Sequence, residues 1–310
     1  MRLAFFGTPT FAVPALRALI GEGFDLQVVV TQPDRPQGRS RSRLVSPPVK
    51  EVAVAEGIPV LQPEQPGDGS FVDALRGYAP TLGIVIAYGH ILKPALLALP
   101  ARGMINVHAS LLPALRGAAP IAHAVMEGLE ETGVTIMQMD EGMDTGPILH
   151  QVPTPLATDE TAGELEVRLA ELGALALIEA LALMEADVLE SRSQNEARAT
   201  YAPKLSVEAA RIPWNESTAR VGRLIRGLDP RPGAWTELRD RRIKLFGPRP
   251  AGAAPAGVTP GEIVETDPAL LVATGDGLVQ ILDVQPDGKT RLAASEWVRG
   301  RGAHPGDRFS

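Results

Sequence analysis

Asn106 and His108 stand two residues apart at the end of the apolar run MINVH (104–108). In a β-strand, residues i and i+2 share one face, so an amide and an imidazole would point to the same place. The amide is a neutral hydrogen-bond donor, and the imidazole is a donor that can carry charge near neutral pH. Two donors aimed at one point suit a developing oxyanion. The pair could equally cap the strand and satisfy buried backbone groups. A second cluster, Asp140-Glu141-Gly142-Met143-Asp144, places three carboxylates within five residues between two apolar runs. It fits a solvated hairpin loop or an oxygen-rich loop for Ca²⁺ or Mg²⁺, although the EF-hand pattern is absent. A third stretch, TQPDRPQGRSRSRL (31–44), is nearly free of apolar residues and cannot be core. Its arginines among Gly and Ser read as a mobile cationic loop suited to phosphates, or as an ordinary solvated loop. The turn after the first apolar run, Phe6-Gly7-Thr8-Pro9-Thr10, matches neither G-x-G-x-x-G nor a P-loop. A dinucleotide or ATP is therefore a poor expectation.

These clusters sit in a repeating framework. LAFF (3–6), LQVVV (26–30), LGIVIA (82–87) and MINVH (104–108) are short apolar runs of the kind buried on both faces. Helical patterns lie between them at 14–23, 46–57 and 71–78. Strand-helix alternation implies a mostly parallel sheet with helices on both faces, and such sheets bind ligands beyond the carboxyl ends of their strands. TGVTIMQM (132–139) and GPILHQVP (146–153) read as further strands. Residues 161–186 read as one long helix entered near Asp159 or Thr161. The polar stretch 188–206 reads as a linker. Beyond it come one helical stretch, SVEAARIPWNESTARVGRLIRGL, and five short strand-like pieces, which suggest a small β-barrel. Residues 248–261 read as a flexible loop between two of those strands.

At 310 residues with 45% hydrophobic content, the chain can build two cores, and a charged fraction of 22% argues against disorder. With no cysteine it has no disulfide, cysteine-zinc site or thiol nucleophile. The opening MRLAFFGTPTF meets Pro9 and Pro14 before a long apolar run develops, so it does not read as a signal peptide. The net charge of −7 divides unevenly. Residues 1–203 hold 14 basic and 24 acidic groups, and residues 204–310 hold 16 and 13. Residues 31–50 hold Arg35, Arg39, Arg41, Arg43 and Lys50 against Asp34 alone. Exposed charges are screened within ~8 Å at physiological salt, so local balance decides where a polyanion is steered.

RLAFFGTPTFA, VVTQPDRPQGR, AYGHIL, INVHASLLPALRGAAPI and ETGVTIMQMDEGMDTGPIL together resemble the methionyl-tRNA formyltransferases, over nearly the whole chain. The resemblance implies an α/β, Rossmann-like catalytic domain (1–188), a linker (189–205) and an OB-like, tRNA-contacting β-barrel (206–310). It implies formyl transfer from 10-formyltetrahydrofolate, without a metal, to the α-amine of methionyl initiator tRNA by a cytoplasmic monomer with no membrane partner. Asn106, His108 and Asp144 correspond to the family's catalytic residues. Asp144 would orient His108 and raise its pKa. Ser110, Leu111, Leu112 and Pro113 correspond to its folate-contacting segment, with Tyr88, Gly89, Ile91 and Asp140 nearby. Arg39 corresponds to its tRNA-reading arginine. After Gly38-Arg39 the chain reads SRSRL, one residue longer than the usual spacing, and Arg41 and Arg43 are the further tRNA-binding candidates that follow it. In the second domain Arg220, Arg223 and Arg226 fall at i, i+3 and i+6, which forms either a phosphate rail or a solvated helix face. Other readings are a folate-dependent formyltransferase for a small-molecule amine, and an RNA-binding protein without turnover.

Overall fold

The computed structural model describes residues 1–37 and 43–310. They form two compact units. The first holds residues 1–117, 131–155 and 166–202, and the second holds 118–130, 156–165 and 203–310.

In chain order, β1 (Arg2–Gly7), α1 (Val13–Gly21) and β2 (Asp25–Val30) open the fold. A ribbon of β3 (Arg35–Gln37) and β4 (Arg43–Val45) follows. Then come α2 (Pro48–Ala55), β5 (Val60–Leu61), α3 (Gly69–Gly77), β6 (Leu82–Ile86), α4 (Pro94–Leu97) and β7 (Met104–His108). After α5 (Pro120–Glu127) the chain forms β8 (Glu131–Gln138), β9 (Ile148–Pro155) and α6 (Ala162–Glu185). The main sheet has the order β5-β2-β1-β6-β7-β8-β9. It is parallel from β5 to β7 and antiparallel from β7 to β9. The parallel strands β1 and β6 are buried almost throughout, which is why they read as unbroken apolar runs. Gly173 lets α6 approach β7 closely, because a Cβ there would meet Val107 at 3.1 Å.

The long helix begins where its capping residues allow. Glu164 N donates to Thr161 Oγ1 at 3.2 Å, and Thr161 N donates to Glu164 Oε2 at 2.9 Å. This reciprocal pair satisfies two orphan donors at the helix start. Two expectations need correction. The cationic stretch is not loop throughout, since Arg35 pairs with Val45 and Gln37 with Arg43 in the ribbon. The expected helix across 206–228 shrinks to α7 (Thr218–Gly227), with a single 3₁₀ turn at Glu208–Ala210 before it. Pro213 has no N–H and drives Ile212 towards extended backbone, and Ile212 N instead donates to Trp235 O at 2.8 Å.

The second unit is built on an antiparallel sheet of the half-barrel kind. Its strands are β10 (Ala234–Leu238), β11 (Arg241–Pro250), β12 (Ile263–Glu265), β13 (Leu270–Ala273), β14 (Leu278–Pro286) and β15 (Leu292–Ala293), and α8 (Ala294–Arg299) follows. The order is β10-β11-β14-β13-β12, with β15 on β14. The stretch read as a loop from 248 is still strand to Pro250. Val221 and Ile225 of α7 join Trp214, Leu245, Val272 and Phe309 in this core. Burying such a side chain contributes ~1.5–3 kcal/mol. Among the described residues, no helix is long and apolar enough to cross a membrane.

Candidate active site

β7 is where the main sheet changes from parallel to antiparallel, and Asn106 and His108 lie at its carboxyl end, paired with Met137 and Thr135 of β8. Asn106 is half-buried and His108 is buried. One ring nitrogen of His108, Nε2, lies 3.0 Å from the Leu115 carbonyl oxygen. That oxygen can only accept, so Nε2 carries the hydrogen. The other, Nδ1, lies 3.7 Å from Asp144 Oδ2. Asp144 sits in left-handed backbone at φ 54°, which Asp tolerates better than most residues. The same Oδ2 accepts from Gly117 N at 2.8 Å. The structure thus brings the sheet-end pair and the acidic loop together, although His108 and Asp144 lie 36 residues apart in sequence.

Asp144 raises the pKa of His108 as expected, but the larger effect of burial opposes it. Burial pushes the imidazole below its ordinary 6.5, against the smaller upward pull of Asp144 and the Leu115 carbonyl. The resting ring is neutral at pH 7. Asp144 therefore favours the imidazolium without producing it at rest.

The SLLP segment is locked from beneath. Thr135 Oγ1 donates to Ser110 O at 2.7 Å and accepts from Leu112 N at 3.0 Å. Gln151 Nε2 donates to Thr135 Oγ1 and to Leu112 O, each at 2.9 Å. Ser110 Oγ donates to Ala114 O at 2.6 Å. Leu112 is buried, whereas Leu111 and Pro113 are half-buried. The Tyr88 side chain is core, packed on Phe6, and burial pushes its pKa up to about 12. Its backbone carbonyl accepts from Thr8 Oγ1 and Gln32 Nε2, each at 3.0 Å. Gly89 takes φ 84° and Ile91 is 89% exposed. Asp140 is exposed and bonds Thr145 Oγ1 and Gly142 N, so it belongs to its own turn and does not converge with Asp144.

Arg39 and Arg41 lie outside the described residues. Arg43 belongs to β4. The β3–β4 ribbon is anchored at its base. Lys50 Nζ donates to Asp34 at 2.7 and 2.8 Å, and Gln62 Nε2 donates to Asp34 Oδ1 at 2.8 Å. These bonds, Gln62 first and then Lys50, hold the Asp34 carboxyl below its usual range. Gln62 also donates to Gln32 O at 2.9 Å, and Arg35 Nη2 donates to Gln32 Oε1 at 2.6 Å. Gln32 therefore joins the ribbon to the Tyr88 turn. In the second unit Arg220 is exposed beside Glu216 at 3.5 Å. Arg223 and Arg226 are half-buried, each with an Nε that meets no acceptor. The three do not form one uniform solvated row.

Sequence reasoning missed Thr135, Gln151, Gln32 and Gln62. Their only signal is a polar residue placed inside or beside an apolar run.

This fold, with an amide, an imidazole and a carboxylate gathered at the end of β7, matches the formyl transferase model over residues 1–181 and the formyl transferase C-terminal domain over residues 204–302. The chain belongs to the formyl transferase family. Among curated proteins it is 44% identical to the methionyl-tRNA formyltransferase of Moorella thermoacetica, over 99% of this chain and 98% of that one. It is 45% identical to that of Chromobacterium violaceum, over 100% and 99%. Among solved structures it resembles HypX from Aquifex aeolicus in complex with tetrahydrofolic acid, at TM-score 0.68 and 19% identity over 96% of this chain and 47% of that one. It also resembles a methionyl-tRNA formyltransferase from Clostridium thermocellum, at TM-score 0.60 and 14% identity over 92% and 98%.

Proposed function

We propose that this protein transfers the formyl group of 10-formyltetrahydrofolate to the α-amine of methionyl initiator tRNA, giving the formylated tRNA used to start translation in the cytoplasm. The observation that carries this reading is the approach of Asp144 to His108 across the end of β7, beside Asn106, in a chain 44% identical to a methionyl-tRNA formyltransferase over 99% of its length.

A folate needs a backbone edge and an apolar shelf. The SLLP segment, held rigid by Thr135 and Gln151, and the exposed backbone around Gly89 and Ile91 suit those needs. Ser110, Leu111, Leu112 and Pro113 would line one side, and the Tyr88–Gly89 backbone, Ile91 and Asp140 another. The co-substrate supplies an activated formyl group. The Asn106 amide, which takes no protein hydrogen bond among the described residues, donates to the formyl oxygen as charge grows there. A well-placed donor of this kind is worth ~3–4 kcal/mol. The attacking amine must lose a proton. His108 takes it up at Nδ1, because Nε2 already donates to Leu115 O. Asp144 stabilises the imidazolium that results, the C–N10 bond breaks, and the Nδ1 proton passes to N10 as tetrahydrofolate leaves. Arg39, Arg41 and Arg43 supply positive charge for the tRNA backbone.

The test is a formyl-transfer assay with purified protein, 10-formyltetrahydrofolate and Met-charged initiator tRNA, with Met-charged elongator tRNA as control. Transfer to the initiator alone is expected. Formyl loss only to water or a small amine would overturn the acceptor assignment.

A further inference from the structure

The segment after α6 grips both partners of the His108 ring. Gln194 Nε2 donates to the carbonyl of Asp144 at 2.8 Å and to that of Gly146 at 2.7 Å. Gln194 Oε1 accepts from Arg116 Nε at 3.1 Å and Nη2 at 2.8 Å. The Arg116 side chain is 0% exposed. It forks onto Glu196, with Nη1 to Oε2 at 2.9 Å and Nη2 to Oε1 at 2.7 Å. On the other side of the ring, Leu115 N donates to Thr200 Oγ1 at 2.9 Å. The two backbones then pair, with Arg116 N to Thr200 O at 2.9 Å and Ala202 N to Arg116 O at 2.7 Å.

Few side chains satisfy position 194. A guanidinium only donates and two carbonyls only accept. The place between them needs an acceptor at one end and two hydrogens at the other, which is a primary amide of this length. The bonds are also needed where they fall. Asp144 holds left-handed backbone at φ 54°, a conformation that persists when its surroundings fix it.

We propose that Gln194, held by Arg116, is a positioning residue for formyl transfer: it fixes the backbone that aims the Asp144 carboxylate at His108, while Thr200 fixes the Leu115 carbonyl on the opposite side of the ring. The inference rests on the reaction proposed above. Gln194 touches neither substrate nor the reacting atoms.

Gln194→Glu is the discriminating variant. It keeps the acceptor for Arg116 and turns an oxygen towards the Asp144 and Gly146 carbonyls. Steady-state formylation by the full-length protein is measured with saturating and limiting Met-tRNA and 10-formyltetrahydrofolate. Formylation by the wild type is the control, and its absence would sink the reaction assignment rather than this inference. With an active wild type, kcat is expected to fall about ten- to a hundredfold, the scale of a misplacement near 1 Å. Both KM values should stay within about twofold. The His108 ring resonances, followed by NMR, should titrate with a shifted midpoint. Asp144 is the ionisable partner of that ring, and the Leu115 carbonyl faces it from the other side. Wild-type kcat with an unshifted His108 titration would overturn the proposal. So would a kcat loss in protein shown folded by circular dichroism that leaves the His108 titration unshifted. If Gln194→Glu does not fold, Gln194→Met, uncharged and of similar length, carries the same expectations.

Discussion

Asp144 Oδ2 stands 3.7 Å from His108 Nδ1 and 2.8 Å from Gly117 N. The first distance is too long for a hydrogen bond and the second is a good one. The carboxylate is therefore tethered beside the imidazole without being bonded to it. Only a protonated Nδ1 gives His108 a hydrogen to offer Asp144, since the hydrogen on Nε2 goes to Leu115. The resting site is loaded to accept one proton.

That arrangement fixes a pH dependence. Burial holds the His108 pKa below 6.5, and Asp144 pulls it upward. An NMR titration of the ring is expected to give a midpoint under 6.5, and Asp144→Asn should move it lower still. Between the folded pKa and 6.5 the unfolded chain binds more protons than the folded one. The stability due to neutral His108 is thus complete above 6.5 and is lost as pH falls through that window. Asp144→Asn widens the window. It should also reduce kcat by about a thousandfold or more, the scale seen when a carboxylate orienting a catalytic imidazole becomes an amide. A ring midpoint at or above 6.5 in the wild type contradicts the account.

Asn106→Ala removes a donor from β7 and leaves the buried strand around it intact. The expected loss is about a hundred- to a thousandfold in kcat. Binding of Met-tRNA, measured by filter retention, should stay at the wild-type level. Undiminished turnover in this variant would remove Asn106 from the chemistry.

Thr135→Val tests the support beneath the folate segment. The buried hydroxyl serves Ser110 O, Leu112 N and Gln151 Nε2 together. Its loss leaves buried polar groups unpaired, at ~1–3 kcal/mol. Thermal unfolding should reveal that cost. KM for 10-formyltetrahydrofolate should rise while KM for tRNA stays put. A folate KM equal to the wild type's would mean that SLLP holds its shape unaided.

Much of this was legible in the sequence. LAFF, LGIVIA and MINVH became β1, β6 and β7 because a strand buried on both faces must be apolar at nearly every position. Asn106 and His108 were marked by their place at the end of such a run. Asp144 could be joined to them only through the family resemblance, since nothing local in Asp140–Asp144 says which carboxylate turns inward. The contact is decided by Gly117 N and by the left-handed backbone at 144. The network of Arg116 and Gln194 was illegible for another reason. Residues 188–206 lack any hydrophobic period, so they read as a linker, yet side-chain amides and carbonyls bind them without leaving a pattern. α5 was missed because its run PIAHAVME is short and opens on proline. β5 was missed because two residues carry no period at all.

Arg39→Ala addresses the cationic ribbon. β3 and β4 are anchored through Asp34, Lys50 and Gln62, and Arg39 itself lies outside the described residues. Removing one phosphate contact costs a charge-assisted hydrogen bond, ~1.5–3 kcal/mol, or about ten- to a hundredfold in KM for Met-tRNA. The slope of log affinity against log salt should shrink by about 0.7–0.9, one contact's share. KM for 10-formyltetrahydrofolate should not move, because the folate shelf proposed above is SLLP and the Tyr88 turn. An unchanged tRNA KM with an unchanged salt slope would detach Arg39 from the tRNA. Equal losses for both substrates would instead mean that Gln32, which bonds Arg35 and the Tyr88 carbonyl, carries the disturbance from the ribbon into the folate site.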